Sequence, residues 1–140
     1  MTNHSYSKIY YHLIWSTQDR KPYIEQRFRK RLYAYIGRIV LHKGWVLLAI
    51  GGIDDHIHIL IQTTSRDYIP DIVCKIKSNS SRFVRKYFLS EFCWQEGYSV
   101  FTVDMVSLER IKNYILKQEQ HHSKISFDEE LKETEFNKNY

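Results

Sequence analysis

Between Ile9 and Trp15 the chain alternates with a period of two: Ile9, Tyr11, Leu13 and Trp15 share one face of an extended segment, and Tyr10, His12 and Ile14 the other. This predicts a first strand. The period then lengthens, with Ile24, Phe28, Leu32, Tyr35, Ile36 and Ile39 recurring every three or four residues up to Gly44. That spacing predicts a long helix, for which Pro22 suits the first turn. A continuous apolar run from Trp45 to Ile50, the turn signal GGIDD, and the alternation of Ile57, Ile59 and Ile61 with His58, Leu60 and Gln62 predict a hairpin. From Ile69 and Pro70 to about Phe88, one arc of a helical wheel carries Ile72, Val73, Ile76, Ser80, Phe83, Val84 and Tyr87, which predicts a second helix. The aromatic and β-branched stretch Tyr98 to Val103 predicts a strand, and Ser107 is placed to cap a third helix carrying Leu108, Ile111 and Ile115. Past His122 the apolar residues are too sparse for a core, so the tail from about residue 124 is expected to be a short docked helix or partly mobile.

The order β-α-β-β-α-β-α predicts an α+β fold with a ferredoxin-like, RRM-like βαββαβ sheet, helices on one face, and an additional C-terminal helix. The other face of the sheet is expected to stay open, and function to sit there. At 140 residues the chain matches one domain, 1–140, with no repeat or linker. No apolar stretch is long enough to span a bilayer, and the first residues lack the features of a signal peptide, so a cytoplasmic location is expected. Cys74 and Cys93 are far apart in the sequence and form no CxxC pattern, which points to neither zinc nor a disulfide framework. A formal net charge of +5 and a pI near 9.1 raise the prospect of a polyanionic partner. Aromatic content of 15% adds side chains able to stack on unpaired bases, although most aromatics fill cores.

If Ile57, Ile59 and Ile61 face the helices, His56 and His58 project together from the other face of their strand. Neutral imidazoles at such positions can share one divalent metal, but an isolated His-x-His is as readily a pair of surface histidines, and it needs a third ligand. On the third helix Tyr114 and Gln118 lie four residues apart, one turn from each other, beside the Leu108, Ile111, Ile115 stripe. They can address one site, although a tyrosine at the edge of a helix's apolar stripe is usually packing, and position alone does not distinguish it.

The segments GGIDDHIHIL, KIKSNSSRFVRKYF, WQEGYSVFTVD and NYILKQEQHH resemble, in order, those of the single-tyrosine, His-hydrophobic-His transposases of minimal insertion sequences, and the resemblance covers nearly the whole chain. DHIHIL followed at this separation by YILKQ is far more specific than either alone. The resemblance implies an enzyme that cuts and rejoins single-stranded DNA, with Tyr114 as nucleophile and with His56, His58 and Gln118 holding Mg²⁺ or Mn²⁺. It implies a 5′-phosphotyrosine intermediate with a free 3′-OH, hairpins at element ends as substrate, and a homodimer in which one subunit's tyrosine helix completes the other's site. It assigns no role to His121 and His122, which suit a polar helix end.

On the second helix Lys75, Arg82 and Lys86 form a stripe opposite the apolar arc, flanked by Lys77 and Arg85; a second basic group begins with Arg20 and Lys21 and continues through Arg27, Arg29, Lys30 and Arg31. Arg20, Lys21, Lys75, Arg82 and Lys86 are candidate DNA contacts, though such faces also serve simply as solvated helix surfaces. Two rival readings stand beside the transposase. One is a non-catalytic RRM-like module stacking single-stranded nucleic acid on aromatics such as Tyr10 and Tyr98; the other is a domesticated relative that processes chromosomal repeat hairpins.

Overall fold

A computed structural model describes residues 5–118. Four strands, β1 (Ile9–Ser16), β2 (Val46–Gly52), β3 (His56–Thr63) and β4 (Ser99–Val103), form one sheet in the order β2-β3-β1-β4. Every neighbouring pair is antiparallel. The helices α1 (Gln26–His42) and α2 (Ile69–Tyr87) make the two crossovers, and α3 (Leu108–Leu116) follows β4. This is the expected α+β arrangement. The tail beyond residue 118, including His121 and His122, lies outside the described residues.

The main core lies between the sheet and the α1–α2 layer, where Leu13, Trp15, Ile57, Ile59 and Ile61 meet Phe28, Leu32, Ile36, Ile72, Ile76 and Val84. Two ring stacks join the helices: Tyr35 on Phe83, with centroids 4.1 Å apart, and Phe28 on Phe88, at 4.9 Å. Trp94 from the segment before β4 packs edge-on against Trp15 and donates its indole N–H to Ser80 Oγ at 3.0 Å. That bond satisfies two buried polar groups at once.

The expectation of an open second face is corrected. Tyr10, Ala49, Leu60 and Val103 on that face form a second buried cluster with Ile111 and Ile115 of α3, joined by Leu108 and Tyr114. The reason lies in β1 and β2, which carry apolar residues on both faces, so each face needs a cover. A register shift between Leu47 and Ala49 in β2 places Leu47 and Ile50 against the helical layer, while Leu48 and Ala49 meet α3. The aromatics expected to stack on bases are used internally: Tyr10 is buried under α3, and Tyr98 packs against the main core.

Two helix starts also differ from expectation. Pro22 stays outside α1 because the chain first makes a turn in which Asp19 and Arg20 take positive φ, Thr17 Oγ1 donates to the Lys21 carbonyl at 2.6 Å, and Ile24 N donates to the Asp54 carbonyl at 2.8 Å. At α3 the capping acceptor is Asp104, which takes a hydrogen bond from Ser107 N at 2.8 Å; the Ser107 side chain makes no capping bond. A short 3-10 turn, Met105–Ser107, separates cap from helix.

Candidate active site

The period-two pattern of β3 has the predicted consequence. His56 and His58 occupy the face opposite Ile57, Ile59 and Ile61, and both are fully buried. Their ring centroids are 5.2 Å apart. Asp55, the last residue before the strand, lies 2.8 Å through Oδ1 from His56 Nδ1. A carboxylate only accepts, so Nδ1 carries a proton, and in the neutral form of the ring the lone pair is on Nε2. This is the carboxylate–histidine arrangement that orients metal-ligating imidazoles.

His58 is held from β1. His12, also fully buried, places Nε2 at 2.8 Å from His58 Nδ1. The antiparallel register sets Ile14 opposite His58 and Leu60 opposite His12, so the two rings meet along a diagonal of the sheet face. Neither His12 nor Asp55 was singled out from sequence. The alternation of β1 did put His12 on the face of Tyr10 and Ile14, but its meeting with His58 requires the strand register.

The third element is α3. Tyr114 is half-buried, with its ring centroid 5.7 Å from His58 at 84° and 6.3 Å from His12 at 78°. One chain therefore brings its own tyrosine edge-on to its own histidines. Gln118, just past the end of α3, is buried and donates through Nε2 to the Tyr114 carbonyl at 3.3 Å. Gln118 Oε1 is also buried and has no hydrogen-bond partner among the described residues.

A glycine makes this placement possible. Gly51 pairs with His58 across β2 and β3, and a Cβ there would stand 2.2 Å from the Ile115 carbonyl oxygen. Only a residue without a side chain lets the backbone of α3 come this close to the sheet. From the segment before β4, Gln95 Oε1 accepts from Ser16 N at 2.6 Å and from Ser16 Oγ at 2.9 Å, and Ser16 pairs with His56. The WQEG segment thus fixes the end of the sheet that carries the histidines.

Among the described residues no three His, Cys, Asp or Glu side chains gather as a metal site. The side chains whose chemistry fits a divalent cation are the two imidazoles, whose outer nitrogens are engaged, and the Gln118 amide, which lines a small pocket with Gly51, Gly52 and Ile115. That mixed nitrogen and oxygen set suits borderline to hard divalent ions.

The basic residues divide between two places. Arg20 and Lys21 are exposed on the turn after β1, at the histidine end of the sheet, where Thr17 N donates to the Asp55 carbonyl at 2.9 Å. Arg82 and Lys86 lie on the far side of the molecule with Arg31 and Arg38, lining a cleft of about 630 Å³ between α1 and α2 whose apolar wall includes Tyr35, Phe83 and Tyr87. Lys75 is half-buried and does not line that cleft. Lys77 is a structural residue: it donates to the Gln95 carbonyl at 2.7 Å and the Gly97 carbonyl at 2.5 Å, and burial pushes its pKa down.

Residues 5–118 match the family model described as "Transposase IS200 like". The chain belongs to the IS200-like transposase family. This transposase is 28% identical over 118 residues to the ISDra2 transposase TnpA of Deinococcus radiodurans, a match covering 79% of this chain and 84% of that protein. Its fold superposes on the crystal structure of a transposase from D. radiodurans R1 with a TM-score of 0.69 at 27% identity, covering 84% of this chain and 96% of the other. A REP-associated tyrosine transposase bound to a REP hairpin shares the fold with a TM-score of 0.65, over 89% of this transposase and 74% of that chain, at 12% identity. No described helix of this transposase is long and apolar enough to cross a membrane.

Proposed function

We propose that this transposase cleaves and rejoins single-stranded DNA at hairpin-bearing insertion-sequence ends by tyrosine transesterification. The observation that carries the reading is the packing of Tyr114 at 5.7 Å, edge-on, against His58 of the same chain. The Tyr114 hydroxyl attacks a backbone phosphorus in line. The phosphorus–O3′ bond breaks as the phosphorus–Oη bond forms, and the proton lost by the phenol is balanced by one gained at the 3′ oxygen. A second 3′-OH can reverse the step, because the 5′-phosphotyrosine conserves the energy of the cleaved linkage. Rejoining then needs no nucleotide cofactor.

His56 through Nε2, His58, and Gln118 through Oε1 would hold Mg²⁺ or Mn²⁺. When bound, that cation would draw charge from the phosphate oxygens and favour the phenolate of a tyrosine whose ordinary pKa is about 10. Asp55 and His12 keep the imidazoles oriented, and the Gln118 bond to the Tyr114 carbonyl ties ligand and nucleophile to one turn of chain. Arg20 and Lys21 would meet phosphates near the cut, and the cleft of Arg82 and Lys86 would meet phosphates of the hairpin. A homodimer would bring two DNA ends together, each handled by a site with its tyrosine in cis. The passive stacking module loses its platform, since α3 covers the face it requires.

The test is incubation of 5′- and 3′-labelled single-stranded ends with Mg²⁺ or Mn²⁺, followed by a denaturing gel. Wild type should leave the strand beyond the cut attached to protein; Tyr114→Phe should bind the same DNA and form no adduct. Equal cleavage by Tyr114→Phe would remove that residue as nucleophile.

A further inference from the structure

We propose that His12 is a positioning residue that fixes the tautomer and ring orientation of His58 and thereby makes it a competent metal ligand; the inference rests on the metal reading given above. His12 is fully buried on a sheet face where its cross-strand neighbours are Leu60 and Phe101. The adjoining cluster of Tyr10, Leu60, Val103, Ile111 and Ile115 is largely apolar. An aliphatic side chain would fill such a place without the desolvation cost of an imidazole. The imidazole adds a 2.8 Å contact of its Nε2 with His58 Nδ1.

That contact has two possible polarities, and they differ in consequence. If His58 Nδ1–H donates and His12 Nε2 accepts, the neutral His58 ring keeps its lone pair on Nε2, in the form able to ligate a cation. If His12 donates instead, neutral His58 carries its hydrogen on Nε2 and is closed to metal. The first polarity matches the adjacent ring, where Asp55 holds the proton of His56 on Nδ1. His12 thus does for His58 what Asp55 does for His56, from a different strand and with a neutral acceptor. The ring also lies 6.3 Å from Tyr114, edge-on, so a change in its orientation would reach the nucleophile.

The test is Mn²⁺ titration of the protein without DNA, read from the loss of the free-ion paramagnetic resonance signal, with thermal unfolding of each variant in chelator as the control for folding. His12→Leu should weaken Mn²⁺ by about 10–100-fold with an unfolding temperature at or above wild type. His12→Gln, which restores an acceptor, should recover most of the affinity. Nitrogen-15 spectra of the histidine rings in Mg²⁺-loaded wild type should place the protons of both His12 and His58 on Nδ1, and this reading stands even if His12→Leu fails to fold. Wild-type Mn²⁺ affinity in His12→Leu, a His12→Gln variant no better than His12→Leu, or a His58 proton on Nε2 would overturn the inference. Undiminished Mn²⁺ binding by His58→Ala would overturn the metal reading itself, a result separable from all of these.

Discussion

Each imidazole of the His56–His58 pair has its outer nitrogen engaged, one by a carboxylate and one by another imidazole. Removing the carboxylate while sparing the backbone isolates the first of these: Asp55→Ala should weaken Mn²⁺ binding by about 10–100-fold, measured by titration, because His56 loses the acceptor that fixes its proton. An unchanged affinity would mean that strand geometry alone orients the ring. The pair and its tyrosine were legible in sequence for simple reasons. Strand periodicity puts positions 56 and 58 on one face and helical periodicity puts 114 and 118 one turn apart, while the roles proposed for them come from the family resemblance. Their outer partners were not legible in the same way. His12 is far from His58 in the chain and meets it only through a strand register that alternation does not specify, and Asp55 looked like one of two turn-forming aspartates.

The helix α3 sets where Tyr114 lies relative to His12 and His58, and two features of the chain hold it there. Gly51→Ala should push the helix off the sheet, since the added Cβ meets backbone at the Ile115 carbonyl. A shift of about 1 Å should lower the rate of adduct formation on the order of 10²-fold, with the circular dichroism spectrum of the fold retained; a wild-type rate would show that α3 is not held by this contact. At the start of the helix, hydrogen bonding from the Ser107 side chain first, and from its backbone N–H, holds the Asp104 carboxyl below the usual carboxylate range. A depressed folded pKa stabilises the protein above the ordinary carboxylate pKa and loses that effect as pH falls through the lower folded value. Wild type should therefore melt above Asp104→Ala at neutral pH, and the gap should close as pH is lowered from about 4; a gap independent of pH would place the cap elsewhere. Element types followed from periodicity, whereas the start of α1 did not. Pro22 is compatible with a helix start, but the hydrogen bonds that tie residues 17–24 to the turn before β3 postpone it to Gln26. The cover that α3 provides was equally hidden, because apolar residues on both faces of β1 and β2 require two covers without naming the second.

Over the whole molecule, the net charge of +5 is concentrated in part at two sites, one at the histidine end of the sheet and one in the α1–α2 cleft. Composition indicated a polyanionic partner; only the packing of α1 on α2 separates Arg82 and Lys86, which join Arg31 and Arg38, from Lys77, which is committed to loop carbonyls. If the cleft holds hairpin phosphates, the combined Arg82→Ala, Lys86→Ala variant should flatten the plot of log Kd against log salt by about 1–2, as expected for two released counterions. An unchanged slope would place the hairpin on another surface. Whether Tyr114 is the residue that becomes joined to DNA is read directly by digesting the metal-dependent adduct with protease and nuclease and sequencing the modified peptide by mass spectrometry. A 5′-phosphonucleotide should be found on Tyr114 and be lost when His58 is replaced by alanine; a nucleotide on any other residue, or strand cleavage with no adduct, would exclude Tyr114 as the nucleophile.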